Sequence, residues 1–149
     1  SAEAPAILIC YDSRVDKFNK VKNMFKYLDA NGTTPEGLCF EAIIKDFIPG
    51  NNNQESYFIN YSDGQPYYGN NEIYYSGHSA ECHTRKQVNN IRGMGINVLS
   101  YFIGGEYDYE SEHQSFKNMY GKDAEFINAT NMMDVARTMN KKFLQKKGA

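Results

Sequence analysis

Tryptophan is absent from this chain, proline occurs four times and cysteine three. The odd number of cysteines, Cys10, Cys39 and Cys82, shows no paired spacing, which argues against a disulfide framework and for free thiols in a reducing compartment. No apolar run approaches the roughly 20 residues that a membrane span needs, so no membrane partner is expected. The opening SAEAPAIL lacks the basic start and the apolar stretch of a signal peptide. A cytoplasmic location is the resulting expectation. Charge is nearly balanced, with a formal net value of -2, so no global field recruits nucleic acid.

What is present suits a folded core. The 149 residues include 12 Tyr and 9 Phe, and a chain of this length fills one domain that buries about two thirds of its unfolded surface. Four apolar or aromatic runs, at 6–11, 56–61, 96–103 and 124–127, lack the alternation of half-exposed strands. That pattern predicts strands covered on both faces, as in parallel sheets. Helical spacing lies between them, in 21–28, 35–48, 84–95 and 115–121, and again from about 130 to 146. The alternation predicts an α/β fold: a three-layer, Rossmann-like open sheet, mainly parallel, with helices on both faces and 56–61 central. The irregular stretch 64–79 is long enough to be functional or mobile.

The stretch NGTTPEGLCF holds two adjacent hydroxyls before a helix start. Thr34 ahead of Pro35 fits a helix N-cap followed by proline in the first turn. Thr33 is not needed for that cap and is expected to project at the end of the sheet where open α/β folds bind ligands. The strand at 56–61 runs into Ser62-Asp63-Gly64, and a plain Asp-Gly turn would explain Asp63 alone. Together, Thr33 and Asp63 make a hard-oxygen pair suited to Mg²⁺, Mn²⁺ or Ca²⁺.

GTTPEGLCFEAI followed by YFINYSDGQP resembles the second and third parts of the metal-ion-dependent adhesion site of von Willebrand factor A (VWA) domains. The intracellular branch, with the cobaltochelatase T and magnesium chelatase D subunits, is the most similar. The likeness runs from about Ile7 to Leu144, with ILICYDS matching the family's second strand. It implies metal coordination by Thr33 and, directly or through water, by Asp63. It also implies a non-catalytic module that binds a protein partner in a cation-dependent way, with an AAA+ ATPase subunit as the partner class. The family's D-x-S-x-S strand has no counterpart; Asp12-Ser13-Arg14-Val15-Asp16 is the nearest text and puts Arg where the first Ser belongs. The domain thus reads as one VWA-like unit over 1–149 without its first strand and helix. That strand comes from elsewhere, or the sheet closes over the gap, or the 7–11 strand takes the central slot. Cation binding by this chain alone is expected to be weak.

Other constellations carry less. His78, Cys82 and His83 invite a zinc reading, but their spacing matches no common structural zinc pattern and no second cluster supplies a fourth ligand. Cys39 falls in an apolar helix stripe and Cys10 in a buried-type strand, where inert packed thiols are expected. Tyr61, Tyr67, Tyr68, Tyr74 and Tyr75 suit a contact surface, with Tyr67 and Tyr68 expected to bind the partner. The acids of 106–112 read as a solvated loop heading a helix, and Lys141, Lys142, Lys146 and Lys147 as complements to a helix C-terminus. Two alternatives stand beside the interaction module. One is a metal-dependent hydrolase or phosphoryl-transfer enzyme of another doubly wound family; the other is a structural module with a vestigial metal site.

Overall fold

The computed structural model describes residues 7–27, 29, 32–62, 64–104, 110–128, 137, 140, 141 and 144. The elements in chain order are α1 (Phe18–Met24), α2 (Glu36–Ile43), β1 (Ser56–Ser62), β2 (Tyr68–Gly69), β3 (Tyr74–Tyr75), α3 (Gly77–Gly93), β4 (Ile96–Gly104), α4 (Glu110–Tyr120) and β5 (Ala124–Asn128). Strands β1, β4 and β5 form one parallel sheet in the order β1-β4-β5. Its register pairs Ser56 with Ile96, Ser62 with Phe102, and Phe102 with Phe126. Parallel neighbours need crossover connections, and α3 and α4 supply them. The chain is therefore a mixed α/β protein with a three-stranded parallel sheet and helices.

Helix α3 forms because Ala80, Thr84, Val88 and Ile91 recur at helical spacing and are all buried. It stops at Met94, whose amide bonds the Ile91 carbonyl, and Gly95 follows at φ +76°. That left-handed conformation is cheap only for glycine, as the glycine-ended pattern of 84–95 predicts. Ile96, Val98 and Phe102 then meet Phe40 of α2, Val88 and Ile91 of α3, and Phe116, Met119 and Tyr120 of α4 in one cluster. Fully burying each such aliphatic or Phe side chain contributes about 1.5–3 kcal/mol. The opposite sheet face carries a smaller cluster of Leu99, Tyr101 and Ile127, with Tyr57 against it.

Several sequence expectations need correction. Among the described strands β4 is the middle one, whereas the sequence pattern predicts the 56–61 run at the centre; β4 and then β5 do lie to one side of it, as expected. Within the described residues β1 pairs only with β4, and its Ile59 and Tyr61 are each 43 % exposed. Both runs are rich in apolar residues, but among the described strands only β4 receives neighbours on both edges. Residues 7–11 form no strand: Leu8 and Ile9 are 64 % and 74 % exposed, and Cys10 is only half-buried. A strand needs a ladder partner, and the chain instead enters a turn in which the Asp12 carbonyl accepts the Val15 and Asp16 amides. Arg14 reaches back to Asp12 at 2.6 Å.

The helical spacing of 21–28 yields α1 and a single 3₁₀ turn, Phe25–Tyr27, with no buried residue in either. The stretch 64–79 is not irregular throughout: it holds the antiparallel β2–β3 hairpin, and α3 begins at Gly77 rather than Thr84. Of the acidic stretch 106–112, residues 110–112 belong to the first turn of α4, while 106–109 lie outside the described residues. The helix expected over 130–146 lies largely outside them as well; residues 137, 140, 141 and 144 are helical.

Candidate functional site

The loop of residues 32–35 and the loop after β1 meet at the carboxyl end of the sheet. The Thr34 carbonyl accepts the Tyr67 amide at 3.2 Å and the Glu36 amide at 3.0 Å. Thr33 and Thr34 are both exposed. The N-cap of α2 is Pro35, at φ -78° and ψ 73°, and no side chain caps the helix. This corrects the reading of Thr34 as the cap: its carbonyl, not its hydroxyl, fastens the helix start. Ser62 closes the strand end, its Oγ donating to the Gly64 carbonyl at 3.2 Å, and Pro66 is fully buried beyond it. Asp63 lies outside the described residues.

Directly beneath sits a buried polar chain that sequence reasoning missed. Glu36, at the first position of α2, is only 4 % exposed. Tyr120 Oη donates to Glu36 Oε2 at 2.9 Å, and Asn60 Nδ2 donates to Tyr120 Oη at 2.9 Å. Three elements, α2, α4 and β1, are thereby joined through one phenol. The acid suits the positive end of the helix dipole. Burial, and then the negative charge of Glu36, push the Tyr120 phenol well above its ordinary range. Ser100, the β4 partner of Asn60 in the register, is buried, and its Oγ has no hydrogen-bond partner among the described residues. A signal existed in the sequence: a glutamate directly after Pro35, on a helix otherwise apolar around it.

The tyrosines divide into two groups. Tyr67 and Tyr74 face outward and stack edge to face at 6.1 Å, while Tyr68 is half-buried and its Oη accepts from Asn70 Nδ2 at 3.2 Å. Tyr61 lies flat on Tyr101 at 5.5 Å. Tyr75 turns inward, its Oη 3.0 Å from His83 Nδ1 and 3.4 Å from Thr84 Oγ1. Desolvation pushes its phenol pKa up as well. Gly37 lets α2 approach here, since a Cβ at that position would stand 2.9 Å from the Thr84 amide nitrogen.

The helix separates the three residues of the zinc reading. Cys82 Sγ lies 3.4 Å from His78 Nε2, one turn away. His83 points elsewhere, with its Nε2 3.1 Å from Gln87 Nε2 and 3.4 Å from Glu41 Oε2. Among the described residues no group of three or more His, Cys, Asp or Glu is placed to hold a metal ion. Cys39 is half-buried, and burial pushes its thiol up, consistent with an inert packed cysteine. Among the described residues no helix is long and apolar enough to cross a membrane.

No family model, curated protein or solved structure matches this chain.

Proposed function

We propose that this chain is a non-catalytic, VWA-like protein-interaction module with a partial divalent-cation site of Thr33 and Asp63. The Tyr67–Thr34 backbone bond carries this reading, because it ties together the two loops on which that pair depends. Mg²⁺ wants six oxygens, so two protein ligands leave most of the shell to water or to a partner's carboxylate. In this reading Tyr67, Tyr68 and the outward Tyr74 extend the contact surface around the cation.

The finer fold follows the same resemblance: a three-layer, Rossmann-like sheet in which the D-x-S-x-S strand belongs beside β1. The exposure of Ile59 and Tyr61 on β1, which among the described residues pairs with β4, supports that position. An AAA+ ATPase subunit is the partner class that the chelatase-type resemblance suggests, and it rests on fold-level analogy.

Paramagnetic Mn²⁺ tests the site. It is expected to broaden the amide signals of Gly32, Thr33, Thr34, Gly64, Gln65 and Tyr67 selectively, weakly in this chain alone, and Asp63→Ala is expected to abolish the effect. Broadening centred on the acids of 106–112, or unchanged by Asp63→Ala, would overturn the proposal.

A further inference from the structure

Cys82 lies on α3 beside a cleft of about 160 Å³ lined by His78, Glu81, Cys82, Arg85 and Asn118. Two nitrogen groups flank its sulfur: His78 Nε2 at 3.4 Å and Arg85 Nη2, which donates to it at 3.6 Å. The thiol is half-buried, so the sulfur keeps a solvent-facing side. Neither of the other cysteines combines these features. Cys39 is desolvated in its helix stripe, and Cys10 has a backbone carbonyl, that of Leu8, at 3.9 Å. Reactive thiols sit in partly exposed surroundings with a base or cation at hand.

The geometry points to Cys82 as a thiol–disulfide exchange site for a small zwitterionic disulfide of the amino-acid or peptide class. In the His78 tautomer whose Nε2 accepts, the Cys82 proton passes to that nitrogen as the sulfur attacks the nearer sulfur of the disulfide. A Cys82–sulfur bond forms and the original S–S bond breaks. Cys82 is oxidised, the departing half is reduced to a thiolate, and that thiolate takes the proton back from His78. Arg85 offers the cleft's guanidinium to the ligand's carboxylate. Glu81 offers the opposite charge to its ammonium; one carboxylate oxygen is already held by Ser115 Oγ at 2.7 Å from α4. The site lies outside the Thr33–Asp63 region and does not depend on its role.

The experiment treats the intact chain with limiting oxidised glutathione and, separately, with uncharged hydroxyethyl disulfide, and reads each cysteine by peptide mass spectrometry. Cys82 is expected to react first with both. His78→Gln should slow both reactions roughly tenfold, the scale of one lost hydrogen bond to a charged group. Arg85→Gln should slow reaction with oxidised glutathione far more than with hydroxyethyl disulfide. Circular dichroism and an unchanged rate at Cys39, packed in α2, establish that each variant is folded, and His78→Asn replaces His78→Gln if that variant is not. Faster modification of Cys10 or Cys39, wild-type rates in the folded His78 variant, or equal slowing by Arg85→Gln with both reagents overturns the assignment.

Discussion

The amide of Tyr67 donates to the carbonyl of Thr34 across 3.2 Å, so a backbone bond rather than a side-chain cap fixes the start of α2. Losing a real N-cap costs about 0.5–2 kcal/mol. Thr33→Ala and Thr34→Ala are each expected to cost under about 0.5 kcal/mol, as exposed substitutions away from a cap do. Urea denaturation measures this. A loss near 1 kcal/mol or more in Thr34→Ala would restore the capping role to its hydroxyl.

Removing the Tyr120 phenol leaves the buried Glu36 carboxylate without that donor and Asn60 without that acceptor. Tyr120→Phe is expected to destabilise the fold by roughly 1–3 kcal/mol, the penalty of stranded buried polar groups. The phenol is held protonated in the folded state by burial and by Glu36. Because its folded pKa is raised, its contribution is complete below the unfolded value of about 10 and declines as pH rises above it. Urea midpoints taken across that range should therefore fall with pH, and less steeply in Tyr120→Phe. Tyr75, Tyr61, Tyr101 and the Cys39 thiol, raised by desolvation, and Tyr57, raised by its bond to Glu55, contribute to the slope that remains. Identical slopes in the two proteins would refute the assignment of Tyr120.

Gly37→Ala tests the closest approach of α2 to α3. Its new methyl meets the Thr84 backbone nitrogen at 2.9 Å and His83 Nδ1 at 2.8 Å. Alanine favours a helix more than glycine by about 1 kcal/mol, but overpacking against backbone costs about 1–3 kcal/mol. Net destabilisation is expected, seen as a lower Tm. A rise in Tm would mean that the two helices sit farther apart.

Hydrogen exchange tests the strand order. The amides of Val98–Phe102, paired on both sides or buried, should exchange most slowly, and those of β1 faster. Protection of Phe58–Ser62 equal to that of β4 would contradict an outer place for β1 among the described strands.

Much of the fold was legible because strand and helix patterns are local. The runs at 56–61, 96–103 and 124–127 all became parallel strands, and Gly95 ended α3 as a glycine in the left-handed region can. The run at 7–11 looked just as strand-like and formed no strand, since apolar content does not supply a pairing edge. The α3 start was missed because Gly77-His78-Ser79 carries no apolar periodicity and the helix there is held by Ala80 and Thr84 further along.

By itself the sequence determined which segments want burial, where helices stop, and that the thiols are too few and too scattered for a disulfide framework. Those properties depend on residues within a turn or two of one another. Tertiary structure alone decided that β4 lies between β1 and β5, that Glu36, Tyr120 and Asn60 share one buried chain, and that Cys82 faces His78 while His83 turns to Tyr75. Glu36 and Tyr120 are separated by 84 positions, and no local pattern encodes such a contact. A buried carboxylate needs a donor, and only the folded chain brings one within reach.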